Sequence, residues 1–138
     1  MIVNADITVY NKKFDPEDRT DYFIPTVIKG ISLFQRKSSS ISKGVQSKGS
    51  TATLRIPIDA YQSGKEYVTP EAYKMYEDVS AVWTLQVGDV IVPSVVEDPR
   101  PRIDSELARD YEVIVIQEVT DNTTRGSKSM RHWRIGGV

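Results

Sequence analysis

A chain of 138 residues has the length of one domain and can bury one core, so a single domain spanning 1–138 is expected. It contains no cysteine, which removes disulfides, thiolate catalysis and thiolate metal sites together, and its hydrophobic (39%) and charged (27%) fractions exclude wholesale disorder and fibrous repeats. Net charge is only −1 but unevenly spread: residues 59–112 hold twelve acids against five bases, while bases lead nine to five before them and four to two after them, a polarity that suits head-to-tail contact between unlike surfaces.

Residues 1–10 show no basic segment ahead of an apolar one, and no apolar run approaches the roughly 18 residues of a membrane helix, so neither export signal nor membrane span is expected. Ile7–Tyr10 and Thr26–Phe34 are rich in β-branched and aromatic residues and read as strands, with a turn-rich stretch from Asn11 to Asp21 between them, marked by Asp15-Pro16. Arg36–Ser50 carries six serines, two glycines, four bases and no acid, and without periodicity it reads as a long mobile loop. Thr51–Pro57 alternates, with Ala52, Leu54 and Ile56 on one face and Thr51, Thr53 and Arg55 on the other, as a half-buried strand does.

Within an insertion from Tyr61 to Val79, Thr69 is placed to cap a short helix that starts at Pro70 and in which Ala72, Tyr73 and Tyr76 can share a face. Gly88-Asp89, a two-residue loop with glycine first, fits a type II′ hairpin. That register sets Val87 opposite Val90 and Leu85 opposite Val92, and with Trp83 makes one apolar face. A second helical turn can run through Ser105–Arg109. Glu112–Val119 has apolar residues on both faces, as a covered central strand does, and places Val113 and Val115 among the core candidates. After a turn over Asp121–Ser127, a closing strand from about Ser129 to Ile135 puts Trp133 and Ile135 on one face and His132 and Arg134 on the other. The pattern is mainly β, a small antiparallel β-barrel or sandwich with one or two short helices and long loops. Its core candidates are Trp83, Leu85, Val87, Val90, Val92, Val113, Val115, Trp133 and Ile135.

Motifs for chemistry are sparse. His132 is the single histidine and no G-x-S-x-G element accompanies it, so a hydrolytic triad has no base and a structural histidine is expected. One histidine and dispersed carboxylates do not make a metal site, and Asp15, Glu17, Asp18 and Asp21 lack the glycine and terminal glutamate of a calcium loop. Gly44 and Gly49 are isolated and no helix follows Gly136-Gly137, so a phosphate-binding glycine loop is absent and no cofactor is expected. Two stretches are basic without an acid: Arg36, Lys37, Lys43 and Lys48, then Arg125, Lys128, Arg131 and Arg134. Such stretches can neutralise phosphates, but a nucleic-acid barrel also wants interleaved aromatics, and Trp133 is expected to point inward, so protein contact is the favoured use of these bases.

Asp6–Tyr10, Thr26–Gly30, Arg55–Ala60, Trp83–Val92 and His132–Gly137 together resemble a family of small proteins from phages and prophages of Gram-positive bacteria, over almost the whole chain. The order of elements also resembles that of head-tail joining proteins of the head-completion, or stopper, class; the departure is the Tyr61–Val79 insertion. The resemblance implies a non-enzymatic β-barrel that assembles as a ring of copies beneath the portal and its adaptor, helps retain packaged DNA and offers a docking surface to the tail. It implies residence in the virion at the head–tail interface, and in host cytoplasm during assembly. The implied partners are further copies of the chain, free as a monomer or already a ring, the portal or adaptor, tail-tube or tail-completion proteins, and packaged DNA through the basic loops. A tail-completion or tail-terminator protein, a minor capsid protein and an independent nucleic-acid-binding barrel are the alternatives.

Overall fold

The structure, a computed structural model, describes residues 3–17, 19–36, 41–42, 45–46, 51–96, 111–124, 126–127 and 130–138. Its first two strands, β1 (Ala5–Asp15) and β2 (Thr20–Arg36), extend well past the apolar segments that mark them in the sequence, because only the Pro16–Arg19 region turns. Pro16 presets its own φ, and the Asp15 carboxylate accepts from Glu17 N at 2.9 Å, so the turn is local chemistry and the antiparallel ladder can start at Asp15↔Thr20. The pair runs to Ala5↔Ile31, where Gly30 takes φ +82 and β2 leaves β1 for a new partner.

That partner is β5 (Thr51–Pro57), paired from Arg36↔Thr51 to Ser32↔Arg55. Within the stretch expected to be a mobile loop, β3 (Ile41–Ser42) and β4 (Val45–Gln46) instead form an antiparallel ladder; Lys37, Lys43 and Lys48 fall outside the described residues. The insertion holds β6 (Glu66–Tyr67) and α1 (Pro70–Met75), with Thr69 Oγ1 accepting from Ala72 N at 3.2 Å as the N-cap. Tyr73 of α1 is buried, whereas Tyr76 ends the helix and is exposed, so the expected shared face is broken. Next come β7 (Val82–Trp83), β8 (Val90–Val92), β9 (Ile114–Asn122) and β10 (His132–Gly137). The Ser105–Arg109 turn lies outside the described residues.

The molecule is mainly β, and its six long-range strands close into an antiparallel barrel in the order β1-β2-β5-β10-β9-β8, with β8 returning to β1. Closure removes the open edges that an equivalent sheet would expose. Its interior is filled by alternate residues of each strand, among them Ile7, Val9, Ile28, Leu54, Ile56, Ile91, Ile114, Ile116 and Ile135, together with Trp83 and Leu85. Each such fully buried aliphatic side chain contributes about 1.5–3 kcal/mol. Tyr67, Trp83 and Trp133 pack edge-to-face or tilted against one another at 4.6–5.5 Å between ring centroids.

The expected Gly88-Asp89 hairpin does not form. Asp89 N donates to Gln86 O at 3.1 Å, so Val87 and Gly88 are the centre of the turn, and Gly88 at φ +94 holds its third position, where type II turns need glycine. The flanks diverge: β7 pairs in parallel with β6, and β8 inserts between β1 and β9. Consequently Val87 is exposed at 67% and does not face Val90. Ile91, of opposite parity, is the β8 residue that enters the barrel. Val92 is buried, but outside the barrel, in a second cluster with Tyr10 and Val96 against which Val90 and Val113 pack. On β9 the inward residues are Ile114 and Ile116; Val115, and Val113 just ahead of the strand, are not in the barrel core and are half-buried. Thr8 Oγ1 fastens that outer layer, donating to Ser94 O at 2.8 Å and accepting from Val96 N at 2.9 Å.

Candidate functional site: an open groove and a basic barrel face

Where the β1–β2 hairpin overhangs α1, an open groove of about 840 Å³ is bounded by residues 12–17, Asp21 and Tyr22 on one side, and by residues 73–77 and Gln86 on the other. Lys13 ties the two walls together. Its ammonium donates to the helix-end carbonyls of Tyr73 at 2.9 Å and Lys74 at 3.1 Å, and lies 5.5 Å from the Tyr73 ring centre. Burial lowers the Lys13 pKa. Around the mouth stand Phe14 (56% exposed), Met75 (83%) and Tyr76 (41%), a concentration of apolar surface that the barrel core does not use. Asp15, Glu17, Asp21 and Glu77 line the groove together with Lys12 and Lys74.

The groove floor rests on a buried polar network. Asp89 is 1% exposed, and its carboxylate accepts from Asn11 Nδ2 at 3.0 Å, Gln86 Nε2 at 3.0 Å and Lys12 N at 3.3 Å. Asn11 also bonds both ways with the Thr84 backbone, donating to its carbonyl at 2.7 Å and accepting from its N–H at 3.1 Å. This side-chain bridge does the work of a missing β-ladder between β1 and the 84–89 turn. Burial raises the Asp89 pKa, against the three donors, which lower it. Tyr73 lies nearby with a buried hydroxyl that has no partner among the described residues, and burial, then the Asp89 charge, raises its pKa.

A second surface runs along the outside of the barrel. Outward positions of β2, β5, β10 and β9 form rows: Ser32, Arg55, Arg134 and Thr120 are successive cross-strand partners, and Phe34, Thr53, Gly136 and Glu118 form the next row. Arg36, two residues beyond Phe34, is on the same face. Arg55 and Arg134 therefore stand directly opposite each other, an arrangement that costs a sheet about 0.2–1 kcal/mol when no anion lies between.

Of the bases singled out in the sequence, Arg36 and Arg134 share this exposed face; Arg131 is half-buried, with an Nε that has no hydrogen-bond partner among the described residues, and Arg125 and Lys128 fall outside them. Trp133 points inward and is 6% exposed. Arg55 and Phe34 were not among the candidates, although the alternation of Thr51–Pro57 already placed Arg55 outside. Phe34 was concealed inside an apolar run whose parity switches after Gly30. His132 is the first residue of β10: Nδ1–H donates to Met130 O at 2.7 Å, which leaves Nε2 as an acceptor 3.5 Å from Asn122 Nδ2. Among the described residues there is no cluster of three or more metal-ligating side chains, and no helix is long and apolar enough to cross a membrane.

Residues 2–138 match the model of a family of unknown function (DUF6751). Neither a curated protein nor a solved structure matches the chain.

Proposed function

The chain belongs to the family of unknown function DUF6751, and we propose that it is a non-enzymatic structural protein of a tailed-phage virion, a stopper-like component of the head–tail junction that works as a ring of copies. The sequence resemblance supplies the class. The groove at the β1–β2 tip is the observation that carries the reading: Phe14, Met75 and Tyr76 are exposed around a cleft of about 840 Å³ bordered by charges of both signs, a combination that suits docking of a protein segment. The barrel has no open edge to lend to a neighbour by strand pairing, so contacts between copies rest on side-chain surfaces such as the groove beside α1. Deletion of residues 38–48 is expected to leave the barrel folded and to give DNA-leaking or tailless particles.

Negative-stain images of lysates from a phage lacking this gene test the role. Full heads without tails are expected, and leakage of DNA from them supports retention. Tails of abnormal length point to tail completion instead, and normal infectious particles refute both.

A further inference from the structure

We propose that the outer face of β2, β5 and β10 binds single-stranded nucleic acid, with phosphates on Arg36, Arg55 and Arg134 and one base stacked on Phe34. The inference goes beyond the assembly role and does not rest on it. Phe34, two residues from the end of β2, is 67% exposed with its ring open to solvent. On its own face it is flanked by Arg36 two positions along β2 and, diagonally across the β2–β5 pair, by Arg55, whose direct neighbour on β10 is Arg134. From the Arg36 row to the Arg55–Arg134 row is four residues, about 13 Å of strand, so the three guanidiniums and the ring occupy one compact platform. Glu118, beside Gly136 and diagonal to Arg134, is the acid on these rows, which leaves three arginines to one carboxylate.

Two physical arguments point to the ligand. Arg55 and Arg134 repel each other across the ladder, and a phosphate between them turns that cost into two charge-assisted contacts. An exposed aromatic among arginines offers a π face that any unpaired base can use, whereas the bases of a duplex are already stacked and cannot. Ser32, Gly136 and threonines 51, 53 and 120 fill the remaining positions of these rows without adding an acid.

Fluorescence anisotropy with labelled oligonucleotides of about 12 residues, within the roughly 4–16 that one small barrel accommodates, tests this on the full-length protein. Oligo-dT, oligo-rU and a duplex of equal length are compared between 50 and 200 mM salt. Three neutralised phosphates give a log–log salt slope near −2 for the single strand, about 20-fold weaker binding over that fourfold rise. Arg55→Ala/Arg134→Ala should flatten the slope to about −0.7, and Phe34→Ala should weaken the single strand about fivefold or more while leaving duplex binding unchanged. A preference for dT or rU names the source of the strand, and either supports the proposal. Absence of salt-dependent single-strand binding overturns it, as does single-strand binding that Phe34→Ala leaves intact or a duplex bound as tightly as the single strand. All three substituted side chains are exposed, and a thermal melt of each variant by circular dichroism confirms that it is folded before binding is scored.

Discussion

Asn11→Ala removes a side chain that is 1% exposed and makes three hydrogen bonds, two to the Thr84 backbone and one to the Asp89 carboxylate. The substitution strands a buried N–H and a buried C=O of Thr84, each costing about 1–3 kcal/mol, and deprives a buried carboxylate of a donor, so the loss of stability should be about 3–5 kcal/mol. Urea unfolding at pH 7.5 measures it. The dependence on pH makes the test sharper. Burial holds the folded Asp89 pKa above its ordinary 3.8, and the Asn11 hydrogen bond is the largest influence pulling it back down. With a raised folded pKa the native state binds the extra proton, so Asp89's contribution is fully present below about pH 3.8 and is lost as pH rises through the folded value. Removing Asn11 raises the folded pKa further and widens that window. The gap between wild type and Asn11→Ala should therefore be smaller at pH 4 than at pH 7.5, by about 1.4 kcal/mol per unit of additional shift. A loss below about 1 kcal/mol, less than a single net buried hydrogen bond and its stranded partner, or a gap that shrinks with rising pH, would refute the network's role in holding the 84–89 turn to β1.

Gly136 and Gly137 should respond unequally to alanine. A Cβ on Gly137 would lie 2.6 Å from Ile114 Cγ2 and 2.7 Å from Val115 O, so Gly137→Ala should cost about 2 kcal/mol or more in chemical denaturation, whereas Gly136→Ala meets the flexible Glu118 side chain and should cost under about 1 kcal/mol. Trp83→Phe deletes the 3.0 Å bond from Nε1 to Gln62 in a fully buried side chain and should lower stability by about 2–4 kcal/mol. Trp133→Phe loses no hydrogen bond among the described residues and should cost less under the same titration; equal losses would contradict the assignment. Arg134→Glu turns the like-charged pair with Arg55 into an opposite one and should raise the melting free energy by about 0.2–1 kcal/mol at low salt, an effect that high salt removes.

Much of the barrel was legible because period-two alternation is a direct consequence of one wet and one dry face. Thr51–Pro57 shows the inward set read from its sequence, Ala52, Leu54 and Ile56, and Trp133 and Ile135 line the interior as their parity requires. Thr69 and Pro70 mark the start of α1 because capping and N1 preferences are local. The failures share a cause in long-range pairing. Gly88-Asp89 has the composition of a tight hairpin, but Asp89 is captured by Asn11, 78 residues away in sequence, and the turn moves one residue earlier. The pairings read from that register, Val87 with Val90 and Leu85 with Val92, fail with it, although Trp83 and Leu85 are in the barrel core and Val92 is buried outside it. Val113 and Val115 were indistinguishable from Ile114 and Ile116 in a run apolar on both faces. The groove was invisible in the sequence because it exists only where the β1–β2 tip meets α1, some 60 residues later, a contact made through Lys13 and backbone carbonyls that no motif records.

Particles purified from a lysate that carries this gene, labelled with gold-coupled antibody against the chain and imaged by electron microscopy, would locate the protein in the virion. Label confined to the junction between head and tail is the result expected of a stopper-like ring. Label spread over the head shell, strung along the tail, or absent from particles would contradict it.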